Sequence, residues 1–411
     1  MEGKSMPWET STVSDQRLAF VSRYMEDGFT SFAQLCREFG ISTATGYRVL
    51  QRYDPDNPAS LQDRSRRPLR PSCTDAEREA AIVGVRVDHP TWGPKKIRAY
   101  LQHDRPEMAW PVTSTIGAVL QRAGLVPSRR YRKRAWGGRP PLTRAAAPNQ
   151  VWSIDFKGQF ATQDGTLCYP LTLMDQSSRF LLRCQAYPGI ASRDVQALLQ
   201  AAFREFGLPA CIRSDNGPPF ASNAVAGLSA LSVWWIRLGI RPETIQPSHP
   251  EQNGAHERLH RTLKAEATRP AAASIRAQQR LFDAFRDTYN TLRPHEALGQ
   301  VPPANTYVRS QRPYPNRLPQ IRYPDGLALR TVHRNGCIRW GGGEIFLSEV
   351  LLGETVAFEP LPGHRLLVWF AHLPLAVLDD RGPRWLPPSQ ARPVIEAFRT
   401  RATTDDGLIQ Q

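Results

Sequence analysis

Three carboxylates in separate segments have the types and settings to do chemistry. Asp155 stands in the apolar, strand-like run Val151-Trp152-Ser153-Ile154-Asp155-Phe156. Asp215 follows the short apolar run Ala210 to Arg213 and precedes the turn dipeptide Asn216-Gly217. Glu257 lies three residues after Asn253-Gly254, where a helix reads as beginning. Acids gathered from distant segments can hold two divalent cations, and such a pair can drive attack on a phosphodiester. Carboxylates are hard oxygen donors, so the expected cofactor is two ions of Mg²⁺ or Mn²⁺. The six cysteines (36, 73, 168, 184, 211 and 337) are scattered without a CxxC pair, and the nine histidines show no metal-ligand spacing. That argues for reduced thiols and against a structural zinc site.

Residues 150–295 alternate strand and helix patterns. Strands read over 151–156, 167–174, 180–187, 210–213 and 244–246, with helices over 192–206, 222–238, 252–268 and 274–292. A hairpin-bearing sheet flanked by helices is an α/β core.

The balance of 53 Lys and Arg against 38 Asp and Glu leaves +15, which suits a polyanionic partner, nucleic acid being the commonest. Most of the basic residues are arginine, whose planar fork fits phosphates and guanine edges. The chain has no apolar run of about 18 residues, no signal-peptide core and no GxxxxGK[ST] phosphate loop. No membrane partner and no use of ATP are therefore expected, and the expected location is cytoplasmic.

The length suggests about three domains. Residues 1–70 read as a helix-turn-helix unit, with helices at 14–25, 31–39 and 42–53 around the turn at Gly40. Phe32, Leu35 and Phe39 share one face of the second helix. Tyr47 and Leu50 read as inward on the third, while Thr43, Thr45 and Arg48 would face a major groove. Arg66 and Arg67 follow in a basic segment.

Residues 71–127 read as a second helical, winged or helix-turn-helix-like unit. Thr74 caps its first helix, with Glu77 at capping-box spacing, and Lys95 and Lys96 lie on its second. Residues 128–148 form a basic linker. Arg129, Arg130, Arg132, Lys133 and Arg134 in it suit an arm along phosphates or a minor groove. Residues 149–300 are the core and 301–320 a Pro-rich linker. Residues 321–390 read as short strands of a small β-barrel, and 391–411 as a disordered tail. The chain is thus read as multidomain: N-terminal all-α helix-turn-helix units, an α/β core and a C-terminal β-barrel.

Several stretches together resemble the retroviral-integrase-like DDE transposases of bacterial insertion sequences. They are Trp152 to Lys157, Asp175-Gln176-Ser177-Ser178-Arg179-Phe180, Ser214-Asp215-Asn216-Gly217-Pro218, His249 to Arg258, and Tyr289 to Leu298. Together they span about 150 residues in the matching order, and the helical start and β-rich end resemble the same group. The resemblance implies an RNase-H-like core with Asp155 on the first strand, Asp215 ending the fourth, and Glu257 on the helix after a mobile loop. Glu251 is the rival third acid. It lies 36 positions beyond Asp215, the spacing of many relatives, whereas Glu257 lies 42 beyond. Glu257 is preferred, because in the family the acid follows Asn-Gly by three positions inside the helix. Pro219 departs from the acidic residue that relatives often carry there.

The resemblance implies a DDE-type polynucleotidyl transferase. Such an enzyme binds terminal inverted repeats, cleaves to free 3′-hydroxyls and joins them to target DNA. It works as a homo-oligomer, at least a dimer, in the bacterial nucleoid. Arg258, Arg261 and Lys264 on the Glu257 helix, and Lys157 after Asp155, suit DNA phosphates. His249 and His256 read more readily as structural than as substrate contacts. The rival readings are an inactive DNA-binding regulator and a nuclease of the same fold without strand transfer.

Overall fold

A computed structural model describes residues 12–26, 28, 31–63, 74–126, 142–222, 225–245, 254–382 and 384–404. The chain divides into two compact units, Met1–Thr74 and Asp75–Gln411.

The first unit has three α-helices: α1 (Val13–Met25), α2 (Phe32–Glu38) and α3 (Thr43–Arg52). Each begins at a hydroxyl cap, Thr12, Ser31 or Ser42, whose oxygen accepts a backbone N–H that the first turn leaves unpaired. Gly40 makes the turn before α3 at φ +62°, the left-handed conformation glycine adopts without strain. Phe20, Val21, Leu35, Cys36, Val49 and Leu61 form the core. The inward face of α3 is not the one expected. Tyr47 is 57% exposed, with one side of its ring against Phe32. Gly46 points inward instead, because a Cβ there would lie 2.7 Å from Cys36 Sγ and 2.9 Å from Phe32. Thr43, Thr45 and Arg48 are all exposed, and Thr45 Oγ1 lies 2.9 Å from the cap oxygen of Ser42.

The second unit opens with α4 (Ala76–Asp88), α5 (Pro94–Asp104) and α6 (Thr113–Arg122) around Ile82, Trp92, Ile97, Leu101, Ile116 and Leu120. The cap of α4 is Asp75, which accepts from Arg78 N at 2.8 Å, rather than Thr74. No strand forms among the described residues of this segment.

The core sheet contains β1 (Val151–Phe156), β2 (Phe160–Ala161), β3 (Leu167–Asp175), β4 (Leu181–Tyr187), β5 (Cys211–Ser214) and β6 (Arg241–Thr244). Its strands run in the order β4-β3-β1-β5-β6, with β2 paired to β3. β3 runs antiparallel to both its neighbours β1 and β4, and β5 and β6 run parallel to β1. This is the RNase-H-like core. The last strand lies at 241–244, slightly before its expected place. Helices α7 (Ser192–Phe206) and α8 (Ala230–Arg237) cover one face over Trp152, Ile154, Leu171, Leu173 and Ile212. Helices α9 (Gly254–Ala267) and α10 (Ile275–Thr291) cover the other, where Leu259, Leu263, Phe282 and Phe285 meet Met174, Leu181 and Cys184. Alternate residues of a strand point to opposite faces. Trp152 and Ile154 therefore enter the α7 side, and Ser153 and Asp155 belong to the α9 side.

Past the core, three segments differ from their sequence expectation. Residues 301–320, read as a linker, lie pinned along it. Ser310 N donates to Phe206 O at 2.9 Å, Leu208 N to Arg312 O at 2.7 Å, and Tyr307 stacks on Phe180. Proline cannot donate to a strand ladder, yet nothing prevents such a segment from packing as an extended strap.

The C-terminal strands are β7 (Ala328–Thr331), β8 (Cys337–Trp340), β9 (Gly343–Phe346), β10 (Thr355–Leu361), β11 (Arg365–Phe370), β12 (Leu373–Asp379) and β13 (Arg384–Trp385). They make an open five-stranded sheet, β13-β12-β11-β10-β7, and a separate β8-β9 hairpin. This is a half-barrel; the edges β7 and β13 do not pair with each other. The tail is not structureless. Helix α11 (Pro388–Thr404) lays Ala391, Val394, Ile395 and Phe398 against Leu367, Val377 and Trp369. The five described cysteines are free thiols.

Candidate active site

Strand register places the two aspartates. Ser153 pairs with Arg213 across the parallel β1–β5 ladder. Two residues further along each chain stand Asp155 and Asp215, at the same end of neighbouring strands. A two-residue step returns a side chain to the same face. Asp155 lies just past the buried part of β1, and Asp215 lies one residue past β5, where the chain turns. Gly217 N donates to Asp215 Oδ1 at 3.2 Å.

Below β5, Arg213 is buried and pairs with Glu243 Oε2 of β6 at 2.7 Å. Thr143 closes this network: its N–H and hydroxyl donate to Glu243 Oε1 at 3.1 and 2.6 Å, and its carbonyl accepts from Arg213 at 2.7 Å. The network fixes the strand that carries Asp215.

Glu257 lies in the first turn of α9 and is exposed. It acts electrostatically on Asp155, so the helix start comes within reach of the strand ends. Burial first, then the Asp215 charge, and more weakly Glu257, push the Asp155 carboxyl up to about 7; the Phe156 N–H and the Lys157 ammonium oppose the rise. Burial also raises Asp215. Burial and like charge disfavour the ionised form of such an acid, and a divalent cation relieves both. Asp155, Asp215 and Glu257 thus fit a hard cation by charge and by donor type. Glu251 lies outside the described residues.

Two histidines complete the picture, one read as structural in the sequence and one not singled out there. His256 and His260, four apart on α9, both turn inward and are buried against β1 and β3. His256 Nδ1 lies 2.6 Å from Ser153 Oγ and its Nε2 lies 2.6 Å from Thr172 Oγ1. His260 Nε2 lies 2.8 Å from the same Thr172 oxygen, and its Nδ1 faces Asp155 Oδ2 at 3.7 Å. Burial, above all, lowers both rings, to about 3 and about 2, so both are neutral at ordinary pH. The signal in the sequence was the spacing of four, the reach of one helical turn, which appears only when the histidines are taken as a pair.

Asp175, in another of the matching stretches, is structural. Asp175 is fully buried and accepts from Asn149 N at 2.7 Å and from Ser178 N and Oγ at 2.7 and 2.6 Å. Asn290 likewise clamps the start of β4, accepting from Leu181 N at 2.8 Å and donating to Leu181 O at 3.0 Å.

The basic residues singled out in the sequence are dispersed. Arg258, Arg261 and Lys264 are all exposed on α9, and Lys157 is half-buried beyond Asp155. Lys95 and Lys96 face the core: Lys95 Nζ pairs with Glu296 at 2.6 Å, and Lys96 Nζ donates to the Pro294 carbonyl. Burial lowers Lys96 to about 8. Arg66, Arg67, Arg129, Arg130, Arg132, Lys133 and Arg134 lie outside the described residues.

Comparison with known proteins agrees with this architecture. The integrase core domain family matches residues 145–250 and, in a second form, 238–303. A helix-turn-helix domain matches 16–68 and a homeodomain-like domain 45–120. An insertion element IS476 protein of 39.2 kDa from Xanthomonas euvesicatoria is 30% identical over 55% of this chain and 63% of its own length. An insertion element IS407 protein of 31.7 kDa from Burkholderia multivorans is 32% identical over 45% of this chain and 65% of its own. The chain therefore spans slightly under two thirds of each of these relatives. The InsD transposase of element IS2 from Escherichia coli is 26% identical over 56% of this chain and 79% of its own length. The HTLV-2 integrase catalytic core is a distant structural likeness, 16% identical with a TM-score of 0.33, over 40% of this chain and 100% of that one. This chain carries matches to the integrase core domain over residues 145–303 and to helix-turn-helix and homeodomain-like domains over 16–120, and about half of its length is similar to proteins of bacterial insertion elements, one of them a transposase.

Proposed function

We propose that this protein is a DDE-type transposase that cleaves the ends of a mobile DNA element and joins the freed 3′-hydroxyls to target DNA. What carries this reading is that Asp155 and Asp215 stand at the same end of neighbouring parallel strands, with Glu257 in the first turn of the helix packed on that sheet face. The family architecture around them supports it.

Asp155, Asp215 and Glu257 hold two Mg²⁺ or Mn²⁺ ions in this account. When bound, the ions supply a Lewis-acidic pair that activates the attacking oxygen and stabilises the leaving one. The rest falls to the chain's own residues. Lys157, beside Asp155, holds a phosphate next to the scissile bond. Arg258, Arg261 and Lys264 carry the phosphates of the same DNA end along the exposed face of α9. No side chain attacks the DNA, since the acids serve as ligands, so water and a 3′-hydroxyl are the nucleophiles of cleavage and joining.

Thr43, Thr45 and Arg48 on α3 read a terminal repeat in its major groove. Arg66, Arg67 and the basic run Arg129, Arg130, Arg132, Lys133 and Arg134 follow the backbone beside it, where their charge steers without specifying sequence. Lys95 and Lys96 join them once released from Glu296 and Pro294. Two ends must be held together for joining, so the working form is a homo-oligomer assembled on DNA.

The test is a labelled duplex taken from the DNA that flanks the gene, incubated with the full chain and Mg²⁺. Cleavage and joined products are expected from the wild type. Asp155→Asn, Asp215→Asn and Glu257→Gln should each bind the duplex and yield neither product. Cutting without joining would leave a nuclease. An active Glu257→Gln beside a dead Glu251→Gln would move the third ligand to Glu251.

A further inference from the structure

The hydrogen-bond chain behind Asp155 fixes where the protons lie. Arg179 Nη1 donates to Gln176 Oε1 at 3.3 Å, which turns the Gln176 amide so that its Nε2 donates to Ser153 Oγ at 2.5 Å. Ser153 then has one proton to give, and His256 Nδ1 at 2.6 Å is nearer than the Met174 carbonyl at 3.4 Å. His256 is left with its proton on Nε2, which donates to Thr172 Oγ1.

Thr172 Oγ1 has three neighbours: His256 Nε2 at 2.6 Å, His260 Nε2 at 2.8 Å and the Asp155 carbonyl at 3.2 Å. A hydroxyl has one proton and two lone pairs. All three contacts are satisfied together in one way only: both histidines donate to Thr172, and Thr172 donates to the carbonyl. His260 then carries its proton on Nε2, and its Nδ1 is a bare lone pair. The arrangement that would protonate Nδ1 has Thr172 donating to His260. It leaves the Asp155 carbonyl contact without a proton and sets an N–H 3.7 Å from Asp155 Oδ2, beyond hydrogen-bond reach.

Two electron-pair donors, a carboxylate oxygen and an imidazole nitrogen, therefore face each other at 3.7 Å in a buried setting. A shared cation suits such a pair. Donors each about 2.1 Å from one ion stand about 3.0 Å apart at a right angle and up to about 4.2 Å apart in line, and 3.7 Å lies between. His256 sits in the same cluster, but both its nitrogens are committed to Ser153 and Thr172. We propose that His260 Nδ1 is a nitrogen ligand to the divalent ion held by Asp155, and that it biases the site towards Mn²⁺ over Mg²⁺. Imidazole suits first-row transition metals better than it suits Mg²⁺, which prefers oxygen donors. Ser153, Thr172, Gln176 and His256 act as positioning residues, because together they set the tautomer that exposes the lone pair.

The proposal rests on the carboxylate metal site proposed above, and the experiment separates the two. Pulsed EPR on the Mn²⁺-loaded full chain should show ¹⁴N coupling to the ion. Labelling the histidines with ¹⁵N should convert it to ¹⁵N coupling without altering any side chain. In His260→Asn the coupling should vanish, and Mn²⁺ affinity should fall at least about tenfold, with a smaller loss for Mg²⁺. Mn²⁺ that is lost in Asp155→Asn but shows no histidine nitrogen in the wild type would overturn the ligand and spare the carboxylate site. Coupling that survives in His260→Asn would do the same. Mn²⁺ binding that ignores Asp155→Asn would overturn both.

Discussion

Arg213 and Glu243 form a 2.7 Å ion pair between neighbouring parallel strands, with both side chains largely withdrawn from water, two residues before Asp215. Removing one member of such a pair leaves the other charged and unpaired, which costs about 3–5 kcal/mol. Glu243→Ala should therefore lower stability by about 3 kcal/mol in urea denaturation. It should also weaken Mg²⁺ binding by loosening the strand that carries Asp215. A loss below about 1 kcal/mol would mean that the pair is dispensable to the site.

The raised Asp155 carboxyl has a sign that can be checked. Its folded value is about 7, against about 3.9 for an unfolded chain. Below pH 4 both states are protonated and the group is neutral to stability. Between pH 4 and 7 the unfolded chain ionises first, so metal-free stability falls as pH rises, and it levels off above pH 7. Asp155→Asn removes this penalty. The variant should be more stable than the metal-free wild type at pH 8, on the order of 2–4 kcal/mol, and equal to it at pH 4. Mg²⁺ should stabilise only the wild type. Parallel stability curves across that range would show that Asp155 is not strained by burial.

Arg293 ties the segment 75–125 to the core. It is buried, pairs with Glu266 at 2.5 Å, and reaches Thr91 Oγ1 at 3.3 Å, while Thr91 itself donates to Glu266. Lys96 and Lys95 add contacts to Pro294 and Glu296. In Arg293→Ala, hydrogen exchange should speed up across α5 and residues 294–300, with β1 and β3 unchanged. Unchanged exchange in α5 would assign its docking to other contacts.

Gly46 marks a close approach of helices in the first unit. Its place between Cys36, Phe32 and Phe20 leaves no room for a methyl group. Gly46→Ala should destabilise this unit by about 1–3 kcal/mol through overpacking, despite the better helix propensity of alanine. A thermal melt of the full chain should show an early transition from the first unit. A variant as stable as the wild type would mean that α3 can slide outward at little cost.

How far the sequence revealed all this depends on the kind of signal. The apolar runs at 151–156 and 167–174 are long and bounded by turn residues, and both strands form there. Asp155 and Asp215 were legible because each closes such a run. Tyr47 was misread because a helical stripe marks apolar residues and cannot register a glycine kept small by close approach. Thr74 lost the cap to Asp75 because two adjacent residues can both cap, and only the backbone path chooses between them. The prolines of 301–320 do exclude a sheet, but they do not exclude packing. Polar composition after 390 concealed the stripe of Ala391, Val394, Ile395 and Phe398. His256 was read as structural and His260 was not singled out, since only the docking of α9 on β1 and β3 brings the pair behind Asp155.

The central claim is that Asp155, Asp215 and Glu257 enclose a pair of cations at a DNA end. Anomalous diffraction from Mn²⁺-loaded crystals of the full chain bound to an end duplex tests it most directly. The account expects two peaks about 3.5–4 Å apart, with Asp155 touching both. Crystals that hold Mn²⁺ elsewhere, with no peak in contact with Asp155, would contradict it.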